Sequence, residues 1–123
     1  MEVNVTPDPK VLAERPLLDL EQFDAARAAL KDRFGSLVEL YRTDSQRLTK
    51  ELVAALRAGV LADVVFVSHT IKSSSRTLGA LRAAAFAEAI EHQARRMADG
   101  PQDIPALARL GVGLGQALTA RIA

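Results

Sequence analysis

The 123-residue chain contains no cysteine and no tryptophan, one tyrosine, four phenylalanines and two histidines. Without cysteine it has no disulfide framework, no thiol nucleophile and no Cys-ligated zinc or iron–sulfur site. With two histidines, any catalytic or metal site has to be sparse. There is also no surplus of charge: 16 Lys and Arg against 15 Asp and Glu leave a net +1, which gives no global attraction to nucleic acid or an acidic membrane surface. No apolar run reaches the roughly 18–20 residues that span a bilayer. The opening MEVNVTPDPKVLAERP lacks the basic-then-apolar order of a secretory signal, so the expected location is the cytoplasm. What the chain does have is 49% hydrophobic residues and 25% charged ones, enough apolar material for one core and too much for a disordered tail. The balance points to a small interaction or carrier domain rather than a conventional enzyme.

Pro7, Pro9 and Pro16 punctuate the start. Each lacks an N–H and resists a helix interior, so residues 1–16 read as a linker or loosely docked arm and residues 17–123 as the folded domain. From residue 17 Ala and Leu dominate, with helical spacing. A short helix is expected over about Leu20–Leu30 with Asp19 as N-cap. Four long helices follow. The first covers Arg33–Ala58, with Leu37, Tyr41, Leu48, Leu52 and Ala55 inward and Gly59 as its stop. The second covers Leu61–Leu78 and ends at Gly79. The third covers Leu81–Ala98, with Phe86, Ile90, Gln93 and Met97 inward. The fourth covers Ile104–Ile122, with Leu107, Leu114, Leu118 and Ile122 inward. Short connections imply antiparallel neighbours, hence an all-α, up-down-up-down four-helix bundle with a short leading helix.

The segment Val60–Ala80, VLADVVFVSHTIKSSSRTLGA, carries the chemistry. At 100° per residue Val60, Val64, Val67, Ile71 and Leu78 form a buried stripe. His69 falls on the opposite, solvent-facing side. Lys72 at i+3 and Ser73 at i+4 flank it, Arg76 lies further along that face, and Ala62, Val65 and Phe66 lie toward the N-terminus. An exposed histidine is largely neutral at pH 7 and offers a nitrogen lone pair, which makes it a nucleophile for an electrophile activated elsewhere. The Lys72 ammonium would offset a dianionic phosphoryl group on that nitrogen. Ser73 is small enough to leave the imidazole open. Val65 and Phe66 put apolar area beside it, which suits a docking partner, unless the N-terminal arm covers them. Ser74 and Ser75 fall at the core edge and are expected to bond back to helix carbonyls.

The stretch His69-Thr70-Ile71-Lys72-Ser73-Ser74-Ser75-Arg76-Thr77-Leu78-Gly79-Ala80 resembles the signature His-x-x-Lys-Gly-small-small-x-x-Leu-Gly-Ala of the histidine-containing phosphotransfer (Hpt) domains of bacterial phosphorelays. The one departure is Ser73, where the family usually has Gly. The resemblance extends over about residues 20–123. It implies that His69 accepts a phosphoryl group from a receiver-domain aspartyl phosphate and passes it to another receiver. It also implies no kinase activity of its own and no cofactor of its own, since Mg²⁺ and the acidic pocket belong to the receiver. The implied partners are response-regulator receiver domains and a hybrid sensor histidine kinase, with the domain itself a monomer.

His69 lies about 10 residues before the Gly79–Ala80 turn and Glu91 about 11 after it, so both sit roughly 16 Å from the turn. In the family a Glu or Gln near this position can sit beside the histidine, so Glu91 is a candidate to orient the imidazole. The alternative is a surface Glu91 paired with Arg95 at i+4. His92 is expected to be an ordinary surface residue. Two other functions compete with phosphoryl carriage. One is a bundle that binds receivers without being phosphorylated. The other is the dimerisation and phosphoacceptor fragment of a histidine kinase, which usually has an acidic residue just after the His and a Pro beyond it, where this chain has Thr70 and the serine run.

Overall fold

A computed structural model of the chain describes residues 6–120. Asp8 caps a five-residue helix α1 (Pro9–Ala13) through the Lys10 N–H at 2.9 Å, and Pro9 takes the first helical position, where no N–H is needed. The described part of the expected arm is therefore helical and docked. Leu12 is buried where α1 meets the helices of the second half of the chain, and Arg82 Nε donates to the Arg15 carbonyl at 2.9 Å. Helix α2 (Leu20–Leu30) starts at Asp19, whose carboxylate accepts from the Gln22 N–H. A 3₁₀ turn over Lys31–Arg33 leads into α3 (Phe34–Ala58), followed by α4 (Leu61–Leu78), α5 (Leu81–Met97) and α6 (Ile104–Thr119).

Helices α3 to α6 form the bundle. Each packs on its chain neighbour, and α6 closes the ring on α3. The tight reversals between α3 and α4 and between α4 and α5 depend on glycine. Gly59 and Gly79 take φ of +69° and +84°, a left-handed conformation that is costly for residues with a Cβ. In both, the next residue's N–H reaches back into the helix just ended, Val60 to the Ala55 carbonyl and Ala80 to that of Ser75. Helix α2 lies across the end of α4. The Gln22 amide donates to the carbonyls of Arg76 at 2.6 Å and Thr77 at 3.1 Å, and the Asp19 N–H donates to that of Gly79 at 2.7 Å. Three carbonyls at the end of α4 are thereby satisfied by another element. Phe23 of α2 anchors this arrangement, edge-on to Phe34 with ring centroids 4.9 Å apart.

The core follows the expected stripes with four adjustments. Val38 takes the inner place beside Tyr41, and Leu37 is only half-buried. Val60 is exposed because it precedes α4 as its N-cap with extended backbone. Ser75 does not bond back to its own helix; its hydroxyl meets that of Tyr41 at 2.8 Å inside the bundle, whereas Ser74 bonds back to Thr70 as expected. Leu118 is half-buried, and Ile122 lies outside the described residues. Helices α4 and α5 pack along their length on small residues, with Ser68 and Ser75 buried on one and Ala83, Ala87 and Ala94 on the other. Small facing side chains let the two backbones approach. That approach builds the site.

Candidate functional site

His69 stands midway along α4 with its side chain 55% exposed, and Glu91 of α5 sits opposite at 8%. The imidazole Nδ1 lies 3.2 Å from Glu91 Oε2 and 3.3 Å from Oε1. Lys72, one turn beyond His69, does not stand in solvent beside the imidazole. It folds into the groove, 16% exposed, with Nζ 2.7 Å from Glu91 Oε1. Arg95, one turn beyond Glu91, places Nε and Nη2 at 3.2 and 2.9 Å from Oε2. The two alternatives for Glu91 thus coexist, since it faces the imidazole and pairs with Arg95, but it is buried rather than on the surface.

Burial by itself would raise the Glu91 pKa. The Lys72 hydrogen bond, the Arg95 hydrogen bond, the Lys72 charge and the His69 contact outweigh it and bring the carboxyl from 4.5 down to about 2. Glu91 is therefore ionised at neutral pH and can only accept hydrogen bonds. Its contact fixes the proton of a neutral His69 on Nδ1 and leaves the lone pair on Nε2, which has no hydrogen-bond partner among the described residues. Because the folded pKa lies below the unfolded one, this carboxylate stabilises the fold above about pH 4.5, and the contribution is lost as pH falls through about 2. The full shift corresponds to a ceiling of about 3 kcal/mol; the exposure of His69 and Arg95 reduces it to about 1–2 kcal/mol. Urea unfolding should show Glu91→Gln less stable than wild type by that amount at pH 7, with the two converging near pH 2. A constant gap down to pH 2 would remove the carboxylate charge as the cause.

Ser73 is exposed at i+4 from His69, as the helical spacing requires. Ala62 and Phe66 are also exposed, Phe66 at 71%, while Val65 is half-buried against the core. The described part of the N-terminal arm docks on α5 and α6, and among the described residues Phe66 stays open, lining a groove with Ala54, Ala58 and Asp63. Arg76 pairs with Glu88 of α5 at 3.2 Å. The counting of residues from the turn that pairs 69 with 91 does not pair 76 with 88; two long side chains bridge the offset of roughly 7 Å. His92 is exposed on α5 in a separate groove with Pro7, Leu12 and Arg15 of the arm. Among the described residues no group of three or more His, Asp or Glu side chains could hold a metal ion, and no helix is long and apolar enough to cross a membrane.

The family model of the Hpt domain matches residues 36–121 of the chain. Among solved structures, the chain is similar to the crystal structure of histidine-containing phosphotransfer protein B (HptB) from Pseudomonas aeruginosa PAO1. The identity is 25% and the TM-score 0.69, over 85% of this chain and 93% of that one. No curated protein matches the sequence.

Proposed function

Since the chain belongs to the Hpt domain family, whose members carry phosphoryl groups on histidine in phosphorelays, we propose that His69 accepts a phosphoryl group from a receiver-domain aspartyl phosphate and passes it to a second receiver. The observation that carries this reading is the exposed imidazole with Nδ1 held against the Glu91 carboxylate and Nε2 without a hydrogen-bond partner among the described residues. In the forward step the Nε2 lone pair forms a bond to phosphorus, and the bond from phosphorus to the aspartyl oxygen breaks, its electron pair leaving with the carboxylate. The ring becomes an imidazolium that keeps its proton on Nδ1, next to Glu91. Transfer onward reverses these bonds on the second receiver.

Lys72 neutralises phosphoryl charge, and Ser73, in place of the family's usual Gly, keeps access to Nε2 open. Ala62, Val65, Phe66 and Arg76 form the docking face, with Phe66 as its apolar centre. The charge of the transition state would be met in the receiver, by Mg²⁺ held in the receiver's acidic pocket. A chain of this kind works as a monomeric cytoplasmic carrier between response regulators, fed by a hybrid sensor kinase.

Incubation with a ³²P-phosphorylated receiver domain tests the reading. The expected product is an acid-labile, base-stable label on this chain that a second receiver removes. Receiver binding without any label would instead identify a docking module that is not phosphorylated.

A further inference from the structure

One carboxylate and three nitrogen bases meet in the groove between α4 and α5. Glu91 divides its oxygens among them: Oε1 takes Lys72 Nζ at 2.7 Å, Oε2 takes Arg95 Nη2 at 2.9 Å and Arg95 Nε at 3.2 Å, and His69 Nδ1 lies across both, 3.2 Å from Oε2 and 3.3 Å from Oε1. A phosphoryl group on His69 would bring about two negative charges next to this ionised carboxylate. Lys72 is the cation placed to meet it from α4, because Arg76 is engaged by Glu88. Yet Lys72 can turn away from Oε1 only if Glu91, 8% exposed, keeps another cation; an unpaired buried carboxylate is costly. Arg95 supplies that cation from α5. It grips Oε2 with two N–H donors while Lys72 sits on Oε1, in the forked geometry that guanidinium offers and ammonium does not. At 60% side-chain exposure Arg95 fills no core volume.

We propose that Arg95 is a positioning residue of the phosphotransfer site, holding Glu91 in place so that Lys72 can exchange from Glu91 to the phosphoryl group on His69. The inference rests on the phosphotransfer reading above and adds to it a cation on α5 that never touches the phosphate. It predicts that phosphorylation moves Lys72 and leaves Arg95 where it is.

The experiment uses the ¹⁵N-labelled 123-residue chain phosphorylated by phosphoramidate, which supplies the phosphoryl group without a receiver. Two quantities are read: the half-life of phosphorylated His69, and the change of the Lys72 Nζ NMR signal on phosphorylation. In wild type the Lys72 signal shifts. In Arg95→Gln the half-life falls about threefold or more and the Lys72 shift is lost, with far-UV circular dichroism unchanged; Arg95→Lys recovers part of both. A wild-type half-life together with a wild-type Lys72 shift in Arg95→Gln overturns the role of Arg95 and leaves the phosphotransfer reading intact. If wild type takes up no phosphoryl group from phosphoramidate or from a receiver, both fall together.

Discussion

Exchanging His69 for glutamine removes phosphoryl uptake by at least about 1,000-fold, the scale on which deletion of a nucleophile acts, and leaves the bundle and its receiver binding in place. The fold is indifferent because the imidazole is half in solvent and belongs to no core cluster. Its loss still leaves Glu91 with Lys72 and Arg95, so no buried charge is orphaned and the stability change stays within about 0.5 kcal/mol. Uptake disappears because the exposed Ser73 hydroxyl is a weak nucleophile without an adjacent base, and the other hydroxyls of this part of α4 are engaged. The hydroxyls of Ser68, Thr70, Ser74 and Thr77 donate to carbonyls of their own helix, and that of Ser75 is buried against Tyr41. His92 lines the groove of the described arm with Pro7, Leu12 and Arg15, about 100° round α5 from Glu91, and no lysine among the described residues lines that groove. Binding persists because Ala62, Val65 and Phe66 are untouched. Label uptake and receiver affinity, measured on the same samples, separate the two functions proposed for the α4 face. A His69→Gln chain labelled to the wild-type level, with His92→Gln unlabelled, would move the acceptor to His92.

How much of this was readable in the sequence depends on whether the feature is local. The bounds of α2 and α4 and the glycine stops at 59 and 79 follow from caps, periodicity and positive-φ chemistry, all contained in a few consecutive residues. The shared level of His69 and Glu91 follows almost as directly, because a tight turn makes an antiparallel pair register by counting; that the two side chains face each other does not follow from that counting. What resisted was side-chain direction. Lys72 is a surface residue by angle, yet a carboxylate on the neighbouring helix draws its flexible stem inward, and no one-helix projection contains that carboxylate. Arg95 could be assigned to Glu91 from i+4 spacing alone, but its place beside a reactive histidine exists only once α4 and α5 are packed. Val60 was misplaced because the helical projection continues past the residue at which the helix begins. The docking of Leu12 lay beyond reach for a related reason: three prolines signal a break in helix, and they say nothing about the five-residue helix that Pro9 can open.

Helix α6 carries three glycines, Gly111, Gly113 and Gly115, and the structure gives the last two different surroundings, which sets up a pair of substitutions with opposite signs. A Cβ on Gly113 would overlap Cε1 and Cζ of the Phe86 ring, whereas a Cβ on Gly115 would meet nothing within 4 Å. Within a helix, Gly→Ala is favourable by about 0.5–1 kcal/mol through backbone entropy. Gly115→Ala should realise that gain. Gly113→Ala should not, because the Phe86 ring is 1% exposed in the core and the added methyl can be accommodated only by shifting the ring or separating α6 from α5. Overpacking of this kind costs about 1–3 kcal/mol and can exceed it, so the net change is destabilising despite the propensity gain. The strain also reaches the site, since Phe86 lies on α5 five residues before Glu91, on the helix that must stay close to α4 for Glu91 to meet His69 and Lys72. Gly113→Ala is therefore expected to unfold at lower urea concentration than wild type and to shorten the phosphohistidine lifetime, while Gly115→Ala unfolds at higher concentration with its lifetime unchanged. Equal stability of the two variants would mean that α6 does not seat on Phe86, and that the spacing of α5 and α4 is set without it.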